Sequence, residues 1–161
     1  SNIVKNLLNV AQLETQGFHV SLEEFNLSEL VSDVIATFRL QMEKEAIALR
    51  EDILPEVTVF ADRFLIERVV TNYLNNAIVH IGEPKEIRVS LCQTEDGAYL
   101  GVYNATPKVL DREKIWTSFY KSDDSQGNGL GLSIVKAIMD AHKKEYGFRY
   151  LDDGVEFFIK L

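Results

Sequence analysis

Apolar positions recur along this chain at two periods, and the change from one to the other marks out its elements. Over residues 3–15, Ile3, Leu7, Val10, Ala11 and Leu13 fall at helical spacing, which predicts an amphipathic helix that Gly17 ends. That helix opens without a cap, as expected of a cut inside a longer element. Asn26 followed by Glu29 forms a capping-box-like start, and Leu30, Val31, Val34, Ile35 and Phe38 carry a second helix to about Ala46. Asp62 is placed to cap a third helix over 63–80, whose broad apolar face is Phe64, Leu65, Val69, Val70, Tyr73, Leu74, Ala77 and Ile78. Between these two, Ile47 to Ile53 and Val57 to Phe60 read as short strands broken by Pro55.

After Pro84 the period falls to two. Ile87, Val89 and Leu91, then Tyr99 to Tyr103, predict a hairpin around Glu95-Asp96-Gly97. Tyr146 to Tyr150 and Val155 to Leu161 predict another around Asp152-Asp153-Gly154. Between the hairpins come a weak helical patch, Asp111 to Trp116, and a polar glycine-bearing stretch without periodicity, Lys121 to Gly129, that reads as a mobile loop. Helical spacing then resumes from Leu130 to Ala141. Helices interspersed with antiparallel hairpins indicate an α+β fold, a two-layer sandwich with a sheet packed on helices.

The composition bounds this picture. The chain has 161 residues, 46% apolar and 26% charged, which suits one soluble domain with a single core. No apolar run approaches the length of a membrane span, so the piece is not expected to be membrane-embedded. Cys92 is the sole cysteine, which excludes an intrachain disulfide and fits a reducing, cytosolic setting. A net charge of -8 argues against nucleic acid or acidic lipid as a partner. A phosphate ligand would have to be gripped locally, by backbone amides, a metal ion or one or two lysines.

Two clusters could do that. Asn72, Asn75 and Asn76 lie within five positions of the third helix, where asparagine is a mediocre helix former. Asn72, Asn76 and His80 are four residues apart in turn, each about 40° further round than the last, so they share one stripe. On the helix pattern alone a solvated surface accounts for them as well. The second cluster is Gly127-Asn128-Gly129-Leu130-Gly131-Leu132, leading into a helix; its glycines would let the backbone approach a phosphate at a helix N-terminus, and a plain flexible loop explains it equally.

Order decides between these readings. Asn72-x-x-x-Asn76-Ala77, a strand ending near Asn104, Phe119-Tyr120-Lys121, and Gly127-Asn128-Gly129-Leu130-Gly131-Leu132-Ser133-Ile134-Val135-Lys136 resemble the N, G1, F and G2 boxes of sensor histidine kinases. Leu7-Leu8-Asn9-Val10-Ala11-Gln12-Leu13-Glu14 and Phe25-Asn26-Leu27-Ser28-Glu29-Leu30 are similar to that family's passage from the second dimerisation helix into the catalytic domain, so the resemblance covers essentially the whole chain. It implies a Bergerat-type ATP-binding sandwich at 25–161 and the end of the dimerisation helix with its linker at 1–24.

By the same resemblance the ligands are ATP and Mg2+. Asn76 would hold the metal and Asn72 face the phosphates. Gly127, Gly129, Leu130, Gly131 and Leu132 would form the lid hinge and phosphate-contacting turn, and Lys121 would sit near the phosphates. His80 stands where the family commonly has an aromatic close to the nucleotide, and Asn104 would accept from the adenine amino group. Trp116 and Phe119 are expected to pack. The implied activity is transfer of the γ-phosphoryl to a histidine on the dimerisation domain, with a response regulator downstream. The full protein would be homodimeric and membrane-anchored, with this piece in the cytoplasm. None of His19, His80 and His142 sits in a matching acceptor motif, so the piece alone is not expected to autophosphorylate.

The chain departs from the family where an Asp-x-Gly-x-Gly run is usual. Here Asn104-Ala105-Thr106-Pro107-Lys108-Val109 keeps an acceptor but neither glycine, and Val79 replaces a basic residue. A degenerate domain acting through its partners, and a serine kinase of the anti-sigma type, are the alternatives; an ATPase would be expected to carry glutamate at position 72.

Overall fold

The Asn26 side chain accepts from the Glu29 backbone N–H at 3.1 Å, and helix α1 (Leu27–Lys44) begins there, as the capping pattern predicts. The computed structural model describes residues 19–107, 109–117 and 131–161. Before α1 lies strand β1 (Glu23–Asn26), which the sequence did not announce because only Phe25 of its four residues is turned into the core. After α1 come β2 (Ala48–Ile53), β3 (Thr58–Ala61) and helix α2 (Arg63–Val79). The chain continues through β4 (Glu86–Thr94), β5 (Gly97–Ala105), a single 3-10 turn (Lys114–Trp116), α3 (Gly131–His142), β6 (Tyr146–Leu151) and β7 (Gly154–Lys160). The weak helical patch at 111–116 is thus only that 3-10 turn, tied by the Asp111 carboxylate to the N–H groups of Glu113 and Lys114, each at 3.0 Å. The predicted helix over residues 3–15 and the loop over 121–129 lie outside the described residues.

The main sheet has the order β2-β4-β5-β7-β6. β2 and β4 are parallel, joined by the long crossover through β3 and α2, while the other neighbours are antiparallel. β1 and β3 form a separate antiparallel pair. The fold is the expected α+β sandwich of a mixed sheet on helices, with that small second sheet added. Ile87, Val89 and Leu91, Leu100 and Val102, and Val155, Phe157 and Ile159 alternate onto the buried face. They meet Leu30, Val31 and Ile35 of α1, Ile66, Val70, Tyr73 and Leu74 of α2, and Ile134, Val135 and Ile138 of α3 in one core. Trp116 packs as expected, edge-on against Tyr146 at 4.9 Å. Phe64 does not: it is 80% exposed, because the second position of α2 overhangs the edge of the core that the helical stripe was extended to include.

α2 is fixed by polar bonds as well as by packing. The Tyr73 hydroxyl, deep in the core, donates to the Phe158 carbonyl at 3.0 Å, and burial pushes its phenol well above the usual range. At the N-terminal end Asp62 meets three elements. Its Oδ1 accepts from Leu65 N at 3.2 Å, its Oδ2 accepts from Ser21 N at 2.9 Å, and its own N–H donates to His142 Nε2 at 3.0 Å. His142 Nδ1 faces the Ile138 carbonyl at 2.8 Å, so the partners require the neutral ring with its proton on Nδ1. Asp62→Ala removes both side-chain bonds and is expected to lower unfolding stability by about 1–3 kcal/mol, with Asp62→Asn closer to the parent because it keeps an acceptor. Urea denaturation checks this; an unchanged midpoint in the alanine variant would contradict it.

Candidate functional site

Helix α2 turns a broad apolar face inward, with Val69, Val70, Tyr73, Leu74, Ala77 and Ile78 all buried. Asn72, Asn76 and His80 border that face and are half-buried, whereas Asn75 is exposed. The four-residue spacing therefore does place the three on a common rim. One of them is pinned: Asn72 Nδ2 donates to the Gly131 carbonyl at 3.2 Å, at the first residue of α3. Gly131 and Leu132 are half-buried there, beside the Asn72 end of the rim. Lys121, Gly127, Gly129 and Leu130 lie outside the described residues.

The other end of the rim is defined by Asn104, which is completely buried at the end of β5. Its Nδ2 donates to the Ala105 carbonyl at 3.2 Å and, more weakly, to the His80 carbonyl at 3.4 Å. Two carbonyls on that side require the nitrogen to face them. Oδ1 is then left buried without a hydrogen-bond partner, a costly arrangement unless a ligand supplies a donor. Asn104 thus joins the C-terminal end of α2 to the sheet and presents one unmatched acceptor.

Two glycines allow this, Gly82 in a loop and Gly154 at the start of β7. A Cβ at Gly82 would lie 2.9 Å from Thr106 Cα, and one at Gly154 would lie 2.9 Å from Ala105 Cα. The Gly82 N–H donates to the Ala105 carbonyl at 2.7 Å, and Thr106 N donates to Asp153 O at 3.0 Å. The segment after Asn104 lacks glycines of its own, and the room for Thr106, itself buried, comes from Gly82 on the facing loop. Sequence reasoning read Gly154 only as part of a turn and did not single out Gly82, because the residues they face, Ala105 and Thr106, are remote from them in the chain. Among the described residues no group of three His, Cys, Asp or Glu could hold a metal ion, and no helix is long and apolar enough to cross a membrane.

An α+β sandwich with an asparagine-bearing helix, a second helix bonded to it by its first residue, and an unmatched buried acceptor between helix end and sheet is the architecture of a Bergerat-type ATP-binding domain. Residues 61–161 match the family of histidine kinase-, DNA gyrase B-, and HSP90-like ATPases, and the chain belongs to it. Within that family it is the catalytic ATP-binding domain of a sensor histidine kinase. It is 28% identical over 166 aligned positions to the sensor histidine kinase HprS of Escherichia coli, covering 100% of this chain and 36% of HprS. The catalytic domain of the histidine kinase ThkA superposes with a TM-score of 0.80 at 30% identity, covering 88% of this chain and 95% of that one. A structure of ThkA in complex with the response regulator protein TrrA gives a TM-score of 0.81 at 28% identity, covering 99% of this chain and 46% of that one. The chain spans little more than a third of the length of HprS.

Asn104→Asp would install the family's usual residue, yet a carboxylate has no hydrogen to donate to the Ala105 and His80 carbonyls. The expected result is a loss of about 1–3 kcal/mol in unfolding stability. Thermal and urea melts of the ligand-free variant test this, and a gain in stability would contradict the bonding described.

Proposed function

We propose that this domain binds Mg-ATP and donates the γ-phosphoryl group to a histidine imidazole on a dimerisation domain, as one step of two-component signalling. The observation that carries the reading is Asn104 Oδ1, a buried acceptor with no partner, placed where the adenine amino group would supply a donor. The rim of α2 then carries the rest of the nucleotide away from Asn104, past His80 and Asn76 to Asn72. Gly131 and Leu132 in the first turn of α3 meet the phosphates, together with Gly127, Gly129, Leu130 and Lys121.

Asn76 would hold Mg2+. Its half-buried side chain offers a neutral oxygen, which suits a hard ion that takes its other ligands from phosphate and water. When bound, the ion would offset the charge of the phosphates. Asn72 shapes the outcome differently. An amide cannot accept a proton at neutral pH, so this position does not activate water, and transfer to an imidazole is favoured over hydrolysis. The attacking nitrogen forms a P–N bond as the bond to the β,γ-bridging oxygen breaks, and ADP leaves. The domain's contribution is position and electrostatics.

The acceptor comes from outside the described fold. His142 is committed to Asp62 and Ile138, which leaves neither ring nitrogen for attack. We place the linker and the end of the dimerisation helix in residues 1–24 and the catalytic domain in 25–161, with β1 straddling the junction. A response regulator is the proposed recipient, supported by the ThkA relative's complex with TrrA. A homodimeric, membrane-anchored parent with this domain in the cytoplasm completes the proposal.

Titration calorimetry with a non-hydrolysable ATP analogue, with and without Mg2+, tests the reading. Saturable Mg-dependent binding is expected. Asn76→Ala should abolish the Mg dependence, and Asn104→Ala should weaken binding by roughly tenfold or more through loss of the adenine contact. No binding at millimolar nucleotide would sink the reading and favour a degenerate domain that acts through its partners.

A further inference from the structure

One half-buried imidazole has both nitrogens occupied and yet takes no part in the proposed transfer. His142 closes α3, and its ring joins two helices: Nδ1 donates to the Ile138 carbonyl of its own helix at 2.8 Å, while Nε2 accepts from the Asp62 N–H at the head of α2 at 3.0 Å. We propose that His142 is a positioning residue for phosphoryl transfer, its bond to Asp62 holding α3 at the height along α2 where its first turn meets the phosphates. The inference rests on the ATP reading above and adds to it the residue that keeps the phosphate-contacting turn in place.

The chemistry of the ring is specific to that task. Nothing about a helix C-terminus calls for a neutral imidazole, since histidine is a mediocre helix former and the carbonyl end of a helix favours a cation. A backbone N–H as partner demands the opposite, an acceptor with a free lone pair, so the Asp62 bond selects the neutral ring. The bond to Ile138 then puts the proton on Nδ1, fixes the ring plane and leaves Nε2 as the acceptor. The imidazole is a rigid strut with one foot on the last turn of α3 and the other on the backbone of α2. The second foot is itself held, because the Asp62 carboxylate accepts from Leu65 N at 3.2 Å and from Ser21 N at 2.9 Å.

A strut at this end of α3 matters at the other because a helix moves as a unit. Gly131 lies eleven residues before His142, about 16 Å along the axis, and a slide of one residue displaces the whole helix by about 1.5 Å. Hydrogen bonds from the free N–H groups of the first turn to a phosphate tolerate only about 0.5 Å. Packing of Ile134, Val135, Ile138 and Met139 keeps α3 on the core, but apolar burial is non-directional. At the first turn itself there is little to hold the chain: among the described residues, a Cβ on Gly131 would meet no heavy atom within 4 Å. The bond from Asn72 to the Gly131 carbonyl lies within the proposed site, where the nucleotide also reaches, and His142 is the tie outside it.

The test separates the acceptor from the rest of the ring. His142→Asn keeps an amide N–H near the Nδ1 position for the Ile138 carbonyl and has nothing at Nε2, whereas His142→Gln carries an amide oxygen out to the reach of Nε2. Binding of a Mg-bound non-hydrolysable ATP analogue is measured by calorimetry, and binding of adenosine by NMR titration, on the parent chain and both variants. The expected result is a roughly tenfold loss for the analogue in His142→Asn with adenosine changed by less than about twofold, and recovery to within about threefold of the parent in His142→Gln. Retained adenosine binding reports that the base end of the site is folded. No loss in His142→Asn, equal loss for both ligands, or His142→Gln as weak as His142→Asn overturns the proposal and leaves the ATP reading intact. Should His142→Asn not fold, the parent chain decides: by reciprocity, phosphates bound at the first turn steady the Asp62 bond, so exchange of the Asp62 amide hydrogen slows with the analogue and not with adenosine. Unchanged exchange overturns the proposal, and failure of the parent chain to bind either ligand overturns both readings.

Discussion

Helices α2 and α3 are bonded to each other near both ends of their contact, and the site depends on that. Asn72 donates to the carbonyl of Gly131, and eleven residues further along α3 the ring of His142 accepts from the backbone of Asp62. Between these two bonds α3 runs antiparallel to α2, with Ile134, Val135, Ile138 and Met139 filling the space against the core. Were the helices held by apolar packing alone, their relative slide would be set only by how side chains interlock. Two directional bonds fix it, and they fix it at the level where the first turn of α3 stands beside the half-buried asparagines. Asp62 then links this pair to the chain entering the domain, because the same carboxylate that caps α2 accepts from Ser21.

The opposite end of the site is governed by one buried amide. Asn104 satisfies two carbonyls with its nitrogen and leaves its oxygen unmatched, so the residue is at once a structural bridge and an acceptor held in reserve. An aspartate in its place could serve only the second role. The departure from the family's usual residue is therefore coupled to the surrounding packing, where Gly82 and Gly154 admit the glycine-free segment that follows Asn104. The altered stretch has its own consistent bonding, with Thr106 buried and anchored to Asp153 through its backbone.

Much of this was legible in the sequence, for reasons that can be stated. The caps at Asn26 and Asp62 were found because a capping bond is local, spanning three residues. The two hairpins were found because alternation and turn composition are local too. β1 was hidden, since a four-residue strand with one buried side chain has no period to detect, and Phe64 was misassigned because a helical stripe does not reveal where the core beneath it ends. The parallel pairing of β2 with β4, the bond from Asp62 to His142 and the service of Gly82 to Thr106 are contacts between remote positions. Composition and periodicity carry no trace of them. The asparagine rim was legible as a stripe, and the resemblance implied adenine at Asn104 and phosphates at Asn72; the bonds that support the proposed orientation of the nucleotide between them, Asn72 to Gly131 and Asn104 to the His80 carbonyl, needed the fold.

That orientation is the central claim, and a crystal structure of the chain with Mg2+ and a non-hydrolysable ATP analogue tests it most directly. The account predicts the adenine amino group on Asn104 Oδ1, the metal on Asn76 and the triphosphate running along α2 toward Asn72 and the first turn of α3. A nucleotide bound in the reverse direction, or bound elsewhere with Asn104 Oδ1 still unpartnered, would contradict it.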